Sequence, residues 1–345
     1  METPVLFLIF NRPEETAKVF AAIRAQRPKR LFIASDGPRA DRIGEQELVA
    51  RTRAVALAVD WPCDVSTLLR ETNLGCGPAV SGAISWFFEH VEEGIILEDD
   101  CLPNQDFFPF CETMLERYRD DARAASVAGT NFLPPVLEHG TTHYASKYFQ
   151  MWGWASWRRA WTGYDFALRQ RDEAGWNDLL KRVHPHWVEA AYWREVLKAL
   201  FAGTIDTWDF QAFFSAWHGG ACHLMPARNL VSNLGYGPAA THTNFASRMG
   251  NLPTFPLAVG PEKIDPIPDP AIDNLIFYLR FLDSMDQTWW LEQILDPAQK
   301  LGEARAELHR KDRYIRQLER EVVDRRRQLV AAGRALAEAQ PSSAV

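Results

Sequence analysis

The chain lacks a long apolar run, a cysteine pair and a basic surplus, and each absence removes a class of function. Its five cysteines, Cys63, Cys76, Cys101, Cys111 and Cys222, are odd in number and widely scattered, with no close CxxC pair. Neither a disulfide framework nor a zinc knuckle fits that spacing, and a reducing compartment does. The first apolar run, Val5 to Phe10, is short, follows an acidic residue and leads straight into Asn11-Arg12. A signal peptide wants a basic start and a longer apolar stretch, and a membrane span takes roughly 20 apolar residues. The expectation is a cytoplasmic protein whose only membrane contact is peripheral, at the inner membrane. A formal net charge of -7 speaks against a nucleic-acid binder, which is usually basic. No internal repeat is evident.

What is present is an ordinary globular balance over 345 residues, 47% hydrophobic and 24% charged, enough for a sizeable core. Short apolar runs alternate with helical patterns through the first third. Val5–Phe10 reads as a buried strand, and Pro13 opens a helix to about Ala25. Leu31–Ser35 is a second strand, Ala50–Val59 a helix, Val65–Leu69 a strand, Ala79–His90 a helix and Gly94–Leu97 a strand. Such alternation predicts an α/β fold with a mainly parallel central sheet. In such sheets ligands sit beyond the carboxyl ends of strands. Asn11-Arg12, Asp36 and the triplet Glu98-Asp99-Asp100 all fall there.

The triplet is the first chemical signal. Adjacent carboxylates at a strand end repel one another unless a cation offsets them. One or two carboxylates, with phosphate oxygens and water, suffice to hold Mg²⁺ or Mn²⁺.

Ile95-Ile96-Leu97-Glu98-Asp99-Asp100, followed by Asp106-Phe107-Phe108, resembles the metal-site region of the N-acetylglucosaminyltransferase I family. Phe10-Asn11-Arg12, Ile33-Ala34-Ser35-Asp36-Gly37, Gly153-Trp154, Trp208-Asp209 and Thr241-His242 after Leu234-Gly235 resemble the same family in the same order. The likeness spans about residues 4 to 245. It implies a GT-A (Rossmann-like) fold, a UDP-sugar donor and Mn²⁺, with Mg²⁺ as the other candidate. It further implies that Arg12 contacts the nucleotide, Asp36 accepts from the uracil edge, and Glu98 and Asp99 belong to the donor site. Asp100 would ligate the metal, Thr241 would bond the diphosphate, and Trp154 would line the sugar site. His242 is a second candidate metal ligand. The family's histidine near the uridine has no counterpart in Cys76-Gly77-Pro78-Ala79. Asn73-Leu74-Gly75, just before it, reads either as a turn or as a close approach to the nucleotide.

Sugar transfer by single displacement needs a carboxylate to take the acceptor's proton. The family places that base in an aspartate pair after a tryptophan. This chain has Trp208-Asp209-Phe210, so Asp209 is the expected base, with Asp206 the alternative. The expected reaction is an inverting transfer, with GlcNAc the sugar the likeness suggests, to a glycan or lipid-linked acceptor in polysaccharide assembly. Two other readings stand beside it, a sugar nucleotidyltransferase and a catalytically degraded scaffold.

Nine of the 13 tryptophans lie between Trp152 and Trp217. Trp176, Trp187 and Trp193 read as core. Residues Asn244 to Asp273, rich in proline and glycine, read as a wrapping loop. At the end, Leu301, Leu308, Ile315, Val322, Leu329 and Leu336 recur every seven residues, a coiled-coil signal. Lys311 and Arg325 weaken its seam. From Lys300 to Glu338 the chain carries eleven basic and seven acidic residues. Homodimerisation and contact with an anionic membrane are both open uses. The expected organisation is a transferase domain over 1–295, in which a donor region covers 1–130, an acceptor region 131–245 and a wrap 246–295. A coiled-coil helix over 296–339 and a disordered end over 340–345 follow it.

Overall fold

The computed structural model describes residues 1–134, 140–235 and 250–282, and scattered positions between 307 and 324. The chain forms two compact units, Met1–Ser284 and Met285–Val345. In the second unit the described residues are helical, and Leu308 is 52% exposed. The other five heptad positions lie outside the described residues, as do Thr241 and His242. No helix among the described residues is long and apolar enough to cross a membrane.

The first unit opens with β1 (Val5–Ile9), α1 (Pro13–Gln26), β2 (Arg30–Ser35), α2 (Glu45–Leu57), β3 (Asp64–Leu69), α3 (Cys76–His90) and β4 (Glu93–Glu98). The sequence predicts all seven. Two helices start earlier than their apolar pattern suggests. At α2 the reason is Glu45, whose carboxylate accepts from the Arg39 amide (2.7 Å) and from Asn11 Nδ2 (3.0 Å). At α3 the first turn is Cys76-Gly77-Pro78, which reads locally as a turn; the carboxylate of Asp206, far along the chain, caps it.

Then follow β5 (Cys101–Pro103), α4 (Phe107–Tyr118), β6 (Ala124–Ala128), β7 (His143–Ser146), β8 (Trp154–Trp157), the single turn α5 (Arg158–Trp161), α6 (Glu173–Val183), α7 (Trp187–Phe201), α8 (Asp209–His218), β9 (Cys222–Pro226), β10 (Val231–Asn233) and α9 (Pro270–Phe277). A π-helical turn, Tyr278–Leu282, closes the described stretch of this unit. Eight strands form one sheet in the order β3-β2-β1-β4-β8-β6-β9-β7, and β5 pairs with β10 separately. All of the sheet's strands run one way except β8 and β7. The fold class is the α/β one expected, with a mainly parallel sheet.

β1 and β4 are buried along almost their whole length, as strands covered by helices on both faces must be. Register fixes the functional edge: Leu8 lies opposite Glu98, and Ile9 opposite Ser35. The residues after β1, β2, β3 and β4 therefore emerge together.

A second core fills the helical half. Tyr148, Trp193, Phe213, Trp217 and Phe281 pack there, Trp193 and Trp217 edge-to-face at 4.7 Å. Most of the tryptophan cluster is core, Trp176 and Trp193 fully so. Trp187 is a correction: at the first position of α7 it is 39% exposed, although Ala190 and Ala191 of the next turn, on the same helical face, are buried. The same core encloses a polar chain in which Lys147 Nζ and His184 Nδ1 both meet Glu189, at 2.7 and 3.0 Å.

Candidate functional site

The site is built where the parallel strands end. Asp99 and Asp100 turn the chain from β4 into β5, and both are buried. The Phe10 amide donates to Asp99 Oδ2 at 2.8 Å, and the Arg12 guanidinium donates to Asp100 Oδ2 and lies 3.6 Å from Asp99 Oδ1. Arg12 is thus placed by the end of β1 to neutralise the end of β4. Burial alone would lower its pKa, but Asp100 and Asp99 outweigh that and raise it.

One guanidinium does not balance the negative charge. Burial, followed by the charges of Asp100, Asp99 and Asp209, pushes the Glu98 carboxyl well above the usual carboxylate range. Burial and then Asp100 push Asp99 up as well, against Arg12 and the Phe10 amide. Among the described residues the local surplus is acidic, and its donors are hard oxygens of the kind that suit Mg²⁺ or Mn²⁺. Among the described residues no group of three or more histidine, cysteine, aspartate or glutamate side chains is arranged to hold an ion. Space beside Asp100 comes from Gly235: a Cβ there would stand 2.0 Å from Asp100 Oδ2. The Leu234 amide ties this segment to the Asp100 carbonyl at 2.7 Å.

Asp36 follows β2. Its carboxylate accepts from the Gly37 amide (3.0 Å) and, through both oxygens, from the Leu74 amide (3.0 and 3.1 Å). Asn73 Nδ2 returns a bond to the Gly37 carbonyl at 2.8 Å. Asn73-Leu74-Gly75 is therefore a turn clasped onto the end of β2. Burial raises the Asp36 pKa more than these bonds and Arg70 lower it.

α3 begins directly after that turn, and four carboxylates gather around its first residue. The Cys76 thiol is driven far up by burial and then by Glu98, Asp209, Asp206 and Asp36. Of the two base candidates, Asp206 is turned onto the start of α3: its oxygens accept from the amides of Cys76 and Gly77, each at 2.8 Å. Asp209 opens α8. Its Oδ1 accepts from the Thr207 hydroxyl and from the Phe210 amide (2.9 Å), while no bond reaches its Oδ2 among the described residues.

Trp154, expected to line a sugar site, presents no open face. It is 2% exposed, stacked on Trp208 at 5.9 Å and edge-on to Phe149 at 4.9 Å. On β8 it lies opposite Ile96 of β4, two residues before Glu98.

The structure thus brings Arg12, Asp36, Glu98, Asp99, Asp100 and Asp209 to one edge, and Thr241 and His242 lie outside the described residues. Sequence reasoning missed Arg70. It follows β3, carries charge toward Asp36 and lies beside Gly82, whose added Cβ would be 3.2 Å from its guanidinium. Strand-end placement, the signal that singled out Arg12, would have found it. A groove of about 480 Å³ lies between α3 and residues 164–169, and none of the expected site residues lines it. Its link to the site is Tyr164, whose hydroxyl donates to the Trp208 carbonyl at 3.1 Å.

No protein-family model matches the chain, and no curated protein sequence matches it. Solved structures do resemble it. The galactosyltransferase LgtC, in complex with donor and acceptor sugar analogs, is 12% identical, with 64% of this chain and 72% of that one covered and a TM-score of 0.33. Mouse xyloside xylosyltransferase 1 is 11% identical, covering 64% of this chain and 84% of that one at a TM-score of 0.32. UDP-glucose pyrophosphorylase complexed with UDP-glucose is 11% identical, covering 44% and 65% at a TM-score of 0.25. These likenesses are distant, and the functional reading rests on the geometry of the site.

Proposed function

We propose that this chain is an inverting, metal-dependent glycosyltransferase that moves a sugar, with GlcNAc the first candidate, from a UDP-sugar to an acceptor hydroxyl. The observation that carries the reading is the gathering of Glu98, Asp99 and Asp100 around the guanidinium of Arg12 at the strand ends, with Asp209 near enough for its charge to act on Glu98. A surplus of buried carboxylate is costly to keep unless a cation and its ligand complete it.

In this reading Arg12 turns from Asp100 to the donor's phosphates, for which its planar donors are suited. Asp100 and phosphate oxygens would hold a divalent ion, which supplies charge stabilisation to the departing diphosphate. Asp36 keeps the Leu74 turn in place and has a lone pair left for a ring N–H of the base. Asp209 is the general base. The Thr207 hydroxyl and the Phe210 amide fix its Oδ1, so Oδ2 faces the acceptor. The acceptor oxygen bonds to the anomeric carbon as the bond to the diphosphate breaks, and the hydroxyl proton passes to Asp209 Oδ2. Attack from the face opposite the leaving group inverts the anomeric centre.

The test is nucleotide release from a panel of nucleotide sugars by the wild type and by Asp209→Asn. Turnover should fall by roughly 10²–10⁴ with donor affinity retained. Equal turnover would remove Asp209 from the role. Consumption of a nucleoside triphosphate and a sugar phosphate, with no sugar transfer, would make the protein a nucleotidyltransferase instead.

A further inference from the structure

Asp206 joins two segments 130 residues apart. It accepts from the Cys76 amide at 2.8 Å through Oδ2 and from the Gly77 amide at 2.8 Å through Oδ1. The first amides of a helix have no partner within the helix, and a carboxylate on them also meets the positive end of the helix dipole. The contact is not an ordinary cap, because its carboxylate comes from the turn that leads into Asp209. Each residue of that turn is held. Thr207 packs its carbonyl against α3, so closely that a Cβ on Gly77 would stand 2.7 Å from that oxygen and 3.0 Å from Asp206 Oδ1. The Trp208 carbonyl accepts from Tyr164, and the Thr207 hydroxyl donates to Asp209. α3 in turn starts at the turn clasped by Asp36.

We propose that Asp206 is a positioning residue: its bond to the start of α3 sets the place of Asp209 against the donor edge. The inference rests on Asp209 being the base. It explains three otherwise separate features. Two aspartates lie three positions apart with opposite uses, glycine stands at 77 where any side chain would strike Thr207, and the start of α3 coincides with the meeting of the carboxylates. Asp206 itself touches no reacting atom. Its effect should appear in the chemical step, since misplacing a catalytic group by about 1 Å costs on the order of 10²-fold.

The test compares Asp206→Ala, Asp206→Asn and Gly77→Ala with the wild type in nucleotide release from a nucleotide sugar the wild type turns over, and in calorimetric binding of UDP with Mn²⁺. Asp206→Ala should lower kcat by about 10²-fold with UDP affinity within about twofold. Asp206→Asn should fall between the wild type and Asp206→Ala, because asparagine keeps one acceptor oxygen for one of the two amides and turns an NH2 donor toward the other. Gly77→Ala, which displaces the same turn without altering Asp206, should show the same split between kcat and affinity. An unchanged kcat in Asp206→Ala would overturn the inference and leave the proposed function standing. Parallel loss of kcat, UDP affinity and thermal stability in Asp206→Ala and Gly77→Ala alike would overturn it in favour of a purely architectural cap. A wild type that turns over no nucleotide sugar would remove the reading on which it rests.

Discussion

The Arg12 guanidinium donates to the Asp100 carboxylate, and with the bond from the Phe10 amide to Asp99 this ion pair joins the end of β1 to the end of β4. Each residue alone is a poor candidate for anything but a turn. Together they set the Arg12 guanidinium against the buried carboxylates of Asp99 and Asp100, and that pairing decides how this end of the sheet responds to substitution.

Removal of the cation leaves the acids unbalanced. Arg12→Met should destabilise the protein by roughly 3 kcal/mol, the scale for breaking one side of a buried pair. Asp100→Asn should cost little, and the double variant should recover most of the loss. Urea unfolding of the four proteins gives the coupling energy. Simple additivity of the two single changes would show that the pair is not coupled.

Trp154 tests whether a buried aromatic contributes to sugar binding. Trp154→Ala should cost about 3–5 kcal/mol of stability, the usual range for emptying a buried aromatic site. Trp154→Phe should keep the donor KM within about twofold. A tenfold rise in KM with an unchanged melting temperature would place the indole on the sugar after all.

Acid and base should act oppositely on two buried groups. Burial holds His223 down to about 3, against an ordinary 6.5, so the unfolded chain takes up a proton that the folded one refuses. The stability this residue contributes is complete above pH 6.5 and lost as the pH falls below it. Burial raises Asp273 to about 7, despite Ser146 and Lys147, so its folded form binds the proton more tightly than the unfolded chain does. Its cost therefore grows as pH rises from about 4 to 7. Relative to the wild type, His223→Gln should gain stability as pH falls from 7 to 5, and Asp273→Asn should gain it as pH rises from 5 to 7. Parallel stability curves for either variant would contradict the assignment.

The heptad spacing makes the tail a candidate for self-association, although Lys311 and Arg325 must turn their charges out of its seam. Truncation after Asp296 should convert a modest dimer to a monomer in light scattering. It should leave nucleotide release unchanged, because every proposed site residue precedes Thr243. A truncated protein of unchanged mass per particle would leave the tail to anionic vesicles or another protein.

Much of the N-terminal half was legible in the sequence because its signals are local. A buried strand followed by a polar residue is visible in a few positions, and β1, β2 and β4 with Arg12, Asp36 and the acidic triplet follow from that. The start of α3 was not legible. Cys76-Gly77-Pro78 becomes helical only because Asp206, far along the chain, satisfies its amides. The same long-range bond gives Asp206, the alternative to Asp209 as base, a use that its spacing in the sequence does not show. The burial of Trp154 was hidden for a related reason: sequence marks a tryptophan near the strand ends but not the rings of Phe149 and Trp208 that cover it. Trp187 failed because residue type does not show that it stands exposed at the first position of α7.

The central claim is that the strand-end carboxylates form a metal-dependent site for a nucleotide diphosphate. Calorimetric titration of UDP into the wild type and Asp100→Asn, each with and without Mn²⁺, tests it most directly. The account predicts binding by the wild type only with Mn²⁺, and loss of that metal dependence in Asp100→Asn. Equal UDP affinity in all four titrations, or no binding by the wild type with Mn²⁺, would contradict it.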